Sequence, residues 1–208
     1  EAFPIGLNIL SAHSELEKNL LASDLVSVFQ RLSTSWGDQM TAVLRNAILA
    51  MLESSRGGTL LDLRRFLVEP EFREDFLKFV TDSQVIYFWK KEFPMLAGRP
   101  QAPLLTRLNT FLGPRLVRNM VSQRENRIDF AEVMDGGKIF LAKLSQGEIG
   151  EENSYLMGSL LVAKFYQLVM SRQAVEASAR RHFWLYIDEF HNFVCSSMAS
   201  ILTGARKY

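Results

Sequence analysis

The chain has 208 residues, 48% of them apolar and 23% charged, which is enough to build a buried core and excludes a disordered chain. Its 24 Lys and Arg stand against 23 Asp and Glu, so a net charge of +1 excludes a protein-wide field for nucleic acid or membrane and confines any basic patch to one region. The single Cys195 excludes an internal disulfide, no apolar run reaches the roughly 18 residues of a membrane span, and no signal peptide opens the chain, so a soluble protein of a reducing, cytoplasmic compartment is expected.

The opening stretch Pro4 to Leu10, broken by Pro4 and Gly6, reads as an extended entry segment. Ser14 followed by Glu17 then opens an amphipathic helix through Leu21, Leu25, Val28 and Phe29 to Leu32. A second helix is expected from about Asp38 to Leu52, ended by Arg56-Gly57-Gly58. Thr59 and Asp62 cap a short helix over Leu60 to Val68, and Pro70 suits the first turn of the next. Asp82 or Ser83 caps another, which carries Val85, Phe88 and Trp89. Leu104 to Met120 is helical, with a break at Gly113-Pro114. No strand pattern is found between residues 14 and 127. The aromatic group Phe72, Phe76, Phe79, Tyr87, Phe88, Trp89 and Phe93 reads as helical core rather than a ligand cage.

The pattern changes near residue 128. Asp129 and Glu132 cap one helical turn, Asp135-Gly136-Gly137 turns the chain, and Lys138 to Leu144 is a compact apolar run that suits a buried strand. A long helix over Glu151 to Arg172 precedes a second such run, Phe183 to Ile187, which ends in Asp188-Glu189. Strand, helix and strand in this order predict a right-handed βαβ unit, hence an α/β fold with a parallel sheet covered on both faces. The expected organisation is an entry segment over 1–13, an all-helical inserted subdomain over 14–127 and an α/β core over 128–208. A start at Glu1 rather than Met, and an end at Tyr208 within a helical pattern, read as a piece of a longer protein.

Two carboxylates at the end of an apolar strand have a specific chemical use. Asp188 can hold Mg²⁺ on a nucleotide through its water shell, and Glu189 can polarise a water for attack on a γ-phosphoryl group. The alternative is that both acids cap a following helix. Gln146, at the end of the first apolar run, is a candidate γ-phosphate sensor near Lys143, on the same expected sheet edge. The phosphate-cradling pattern G-x-x-x-x-G-K-[ST] is absent. His191 and Cys195, four apart, do not suffice for a metal site. Residues 99–127 hold Arg99, Arg107, Arg115, Arg118, Arg124 and Arg127 against the single acid Glu125. This basic run can track DNA phosphates, reach a neighbouring subunit, or solvate helix faces; Arg206 and Lys207 can face DNA or a subunit, or serve as ordinary dipole partners near a helix C-terminus.

Ile128 to Gly147, the long helix, and Leu185-Tyr186-Ile187-Asp188-Glu189-Phe190-His191-Asn192-Phe193 resemble the second half of the motor domain of HerA/FtsK-like P-loop ATPases, nearest to TraG/TraD-like type IV coupling proteins. Pro4 to Leu10, Ser197 to Leu202 and Gly204 to Tyr208 extend the likeness over nearly the whole chain. The resemblance implies part of a RecA-like parallel sheet with a large all-helical insertion, ATP and Mg²⁺ as ligands, and Asp188-Glu189 as the Walker B pair. It further implies a ring, usually a hexamer, that moves DNA, with secretion-channel or relaxosome proteins as partners and a location at the inner face of the membrane through other parts of the protein. The competing expectation is a non-catalytic protein-interaction module derived from such an ATPase. Asp188-Glu189-Phe190-His191 also spells a DExH box, though the other motifs of that helicase superfamily are missing.

Overall fold

The computed structural model describes residues 4–12, 14–31, 33, 35–172 and 175–193. Local capping rules set several of the helix starts. Ser14 Oγ accepts from the Glu17 backbone N–H (3.2 Å) at the head of α1 (Glu15–Arg31). α2 (Asp38–Glu53) buries Met40, Val43, Leu44, Ala47, Ile48 and Met51 at helical spacing. A reciprocal capping box between Thr59 and Asp62 begins α3 (Leu60–Val68), and Pro70 opens α4 (Pro70–Leu77). Asp82 caps α5 (Ser83–Tyr87), which runs on into a π-helical turn over Phe88–Glu92. Gly113-Pro114 separates α6 (Gln101–Leu112) from α7 (Arg115–Val121), and Asp129 caps α8 (Phe130–Asp135). The four-residue α9 (Gln146–Ile149) leads into the long α10 (Glu151–Ser171).

α2 packs on α1, α3 and α6, and α10 packs on α1, α6 and α8, so one hydrophobic core runs from Leu7 to Phe165. Phe66 is buried and meets Trp89 and Phe76 edge-on at 4.8 and 5.6 Å, while the Trp89 indole N–H donates to the Asn46 carbonyl. Most of the aromatic group is therefore core, as expected; Tyr87 alone stands 55% exposed. The entry segment is threaded into this body by polar bonds. Leu7 N–H donates to the Met120 carbonyl, and Asn8 and Asn126 bond reciprocally, Asn8 N–H to Asn126 Oδ1 (2.7 Å) and Asn126 Nδ2 to the Asn8 carbonyl (3.0 Å). Gly6 permits this fit, since a Cβ there would meet the Glu125 carbonyl at 2.7 Å.

The α/β expectation is overturned. Among the described residues no strand forms, and the sole β-type pairing is an isolated bridge between Ser54 and Val80, so the described chain is all-helical and has no RecA-like parallel sheet. The apolar runs 138–144 and 183–187 are extended but carry no ladder hydrogen bonds. Both lie across α10. At its C-terminal end Arg172 donates to the Arg181 carbonyl and pairs with Asp135, and at its N-terminal end Ser154 Oγ donates to the Leu144 carbonyl while Phe193 meets Tyr155 edge-on. The two segments therefore run parallel to each other and antiparallel to the helix. Between them lies Phe165, 5.8 Å from Phe140 and 5.3 Å from Phe183. Apolar runs were expected to be covered on both faces; here one face rests on α10, and Ile139 and Leu141 are 88% and 89% exposed. A strand needs a neighbour along its edge, and each segment faces a cavity instead.

Candidate functional site

That cavity, about 790 Å³, has α10 as its floor through Gly158, Leu161, Val162 and Phe165, with Phe140 and Leu144 on one wall and Leu185 and Ile187 on the other. Its polar end gathers Gln146, Tyr155, Asp188, Glu189, His191 and Asn192. Three residues singled out from sequence, Gln146, Asp188 and Glu189, thus meet at one place. Topology causes the convergence: both apolar runs finish at the same end of α10, so the residues immediately after them land side by side.

Asp188 Oδ1 accepts from the Glu189 backbone N–H at 3.0 Å, which closes a tight turn. Glu189 takes φ 52°, the only non-glycine residue in the left-handed region among the described residues. An L side chain there costs about 1–2 kcal/mol, and such strain gathers at functional sites. His191 Nδ1 stands 3.6 Å from Glu189 Oε2, and Phe190–Phe193 forms a 3₁₀ turn; the helix expected over Ser197 to Leu202 lies outside the described residues. Both acids are exposed.

Tyr155 and Arg31 complete the site and were not foreseen. The Glu151 carboxylate accepts from the Tyr155 hydroxyl (2.7 Å) and, as the main cause, holds the phenol above its ordinary value; the nearby Gln146 side chain opposes the shift. Arg31, at the end of α1, donates to the His191 carbonyl at 3.4 Å and is close enough to Tyr155 to act on it electrostatically. Only the closeness of Tyr155 to Gln146 in sequence could have signalled this; nothing local marks Arg31.

The donor set suits Mg²⁺ held through water, because Asp188 and Glu189 offer hard carboxylate oxygens at an open cavity mouth and this ion keeps most of its waters. No group of three or more His, Cys, Asp or Glu able to hold a bare ion exists among the described residues. A triphosphate fits less well. Among the described residues no Lys or Arg lines the cavity; Arg31 reaches the site at the His191 carbonyl, outside the lining. Lys143 pairs with Glu148 at 2.7 Å.

The basic run does not form one free face. Arg118 donates to the Leu112 and Gly113 carbonyls and so caps α6, while Arg124 donates to the Arg56 carbonyl (2.6 Å) and lies 3.4 Å from Asp62. Arg107 faces Glu152 at 3.9 Å. Arg99, Arg115 and Arg127 are exposed. Cys195, Arg206 and Lys207 lie outside the described residues. No described helix is long and apolar enough to cross a membrane. In comparisons with protein-family models, curated proteins and solved structures, nothing matches this chain.

Proposed function

We propose that the polar end of this cavity is the acid half of a nucleotide-hydrolysing site, in a cytoplasmic protein that couples ATP hydrolysis to movement of DNA. The observation that carries the reading is the meeting of Gln146, Asp188 and Glu189 at one cavity mouth, with Glu189 held in a strained backbone conformation. Glu189 aligns and polarises the attacking water, and Gln146 hydrogen-bonds the γ-phosphate as it leaves. Asp188 would hold Mg²⁺ through water, and the ion, when bound, would supply positive charge at the phosphates. The phosphate grip comes from residues other than these, since the sequence has no G-x-x-x-x-G-K-[ST] loop and the described cavity lining no cation. A neighbouring subunit of a ring, in number a hexamer, supplies the missing positive charge, and within the basic run Arg99, Arg115 and Arg127 are exposed for DNA phosphates. Secretion-channel or relaxosome proteins are its partners, and other parts of the full-length protein would hold it at the inner face of a membrane.

The cation-free cavity favours a second reading, a non-catalytic module whose helical body docks another protein. Glu189→Gln in the full-length protein separates the two. The hydrolytic reading expects ATP turnover to fall at least a hundredfold with nucleotide binding retained, in line with removal of a positioned general base; unchanged turnover would discard it.

A further inference from the structure

Asp188 and Glu189 line the polar end of the cavity, and a triphosphate placed there brings negative charge of its own. Like charges this close repel, so a cation at this end is a physical requirement of the nucleotide reading. Arg31 is a cation that stands there. It closes α1, which packs along α10 in the opposite direction: Lys164 of α10 donates to the Ser11 carbonyl ahead of α1, while Arg31, at the far end of α1, donates to the His191 carbonyl. The packing of two long helices, rather than a loop, thus brings the guanidinium to the rim of the cavity.

Two observations go beyond the ordinary role of a basic residue in a last turn, which is to offset the negative end of its own helix. The bond to the His191 carbonyl spans 3.4 Å, longer than the roughly 2.7–3.2 Å of a firm N–H···O bond. A charged phosphate oxygen accepts from a guanidinium over a shorter distance and about twice as strongly. Tyr155 supplies the second. Glu151 raises its phenol, and the Gln146 side chain and the Arg31 charge both act on the same hydroxyl in the opposite direction. Arg31 and Gln146 therefore share a neighbour, and a group that Gln146 hydrogen-bonds lies in the field of Arg31.

We infer that Arg31 is the cation that meets the terminal phosphate of the nucleotide, supplied by the helical body of the same chain. This rests on the reading of the cavity as a nucleotide site. On binding, the guanidinium exchanges the His191 carbonyl for γ-phosphate oxygens, which its planar fork can grip in pairs. In the hydrolytic step the water oxygen bonds to the γ-phosphorus and Glu189 takes the water's proton. The bond from that phosphorus to the bridging oxygen breaks, and its electron pair leaves with ADP. Arg31 neutralises the charge on the γ-oxygens throughout. The neighbouring subunit is left with the rest of the phosphate chain. Because ADP lacks the γ-phosphoryl group, Arg31 separates ATP from ADP.

Isothermal titration calorimetry of the full-length protein with Mg²⁺ tests the inference, using ADP and a non-hydrolysable ATP analogue with an imido bridge between its last two phosphates. Arg31→Ala should weaken the analogue about tenfold or more and ADP about twofold at most. The far-ultraviolet helical signal should not change, because Arg31 is exposed. Arg31→Lys, which keeps the charge at the helix end but not the fork, should fall between wild type and Arg31→Ala for the analogue. An equal loss for both nucleotides would overturn the proposal, since a residue that only holds the turn produces that result. An unchanged affinity for the analogue in Arg31→Ala would overturn it as well. A wild-type protein that binds neither nucleotide would discard the nucleotide reading itself, and this proposal with it.

Discussion

The Glu189 carboxylate stands 3.6 Å from His191 Nδ1 on a turn whose backbone is left-handed at Glu189 itself, and Arg31 fixes the far side of that turn by donating to the His191 carbonyl. A side chain is thus kept where glycine would be more comfortable. Glu189→Gly should release about 0.5–1 kcal/mol, the left-handed cost less the greater backbone entropy glycine loses. For a chain of this size that raises the melting temperature by about 2 °C. Activity should be lost in the same variant. Calorimetry checks the first part, and a lower melting temperature would show that the turn is not strained.

One amide makes three of the bonds that hold the entry segment. Asn126 accepts from the Asn8 N–H, and donates to the Asn8 carbonyl and to Ser11 Oγ. Asn126→Ala leaves the Asn8 N–H in a half-buried place without its partner, at a cost of about 2–3 kcal/mol. Urea unfolding should show this as a lower midpoint with an unchanged slope. A loss below about 0.5 kcal/mol, the range of ordinary surface changes, would mean that the segment is not held in this way.

Lys164, on α10, donates to the Ser11 carbonyl at 2.8 Å, and burial pushes its ammonium below the usual lysine value, with Glu17 opposing the shift weakly. Proton counting gives the sign. Between the lowered folded value and 10.5 the unfolded chain holds more protons, so stability rises with pH through that window; below the folded value both states are charged and the burial cost is present in full. The stability of wild type relative to Lys164→Met should therefore increase as pH is raised toward 10.5. Unfolding midpoints at several pH values for both proteins check this, and a difference that stays flat would contradict it.

Helices were legible where their signals are local. Ser14, Thr59 with Asp62, Asp82 and Asp129 each bond within three residues, and Pro114 breaks its helix wherever the rest of the chain goes. The sheet was misread because an apolar run such as Ile139-Phe140-Leu141 states only that it is apolar; which edge it pairs along depends on distant residues, and here Phe140 settles on Phe165 while its neighbours stay exposed. The meeting of Gln146 with Asp188 was legible because both come directly after apolar runs separated by one long helix. For Arg118 and Arg124 the sequence left DNA, a neighbouring subunit and a solvated helix face open, and the carbonyl oxygens that hold them carry no mark in it.

Photoaffinity labelling with an azido-ATP in the full-length protein, with the labelled peptides mapped, addresses the cavity most directly. If the cavity holds nucleotide, Mg²⁺-dependent label should fall on Tyr155, Tyr186 or the peptide containing Gln146, and unmodified ATP should compete it away. Label that lies elsewhere on the chain, or that ignores Mg²⁺ and competing ATP, would contradict the assignment of this cavity as a nucleotide site.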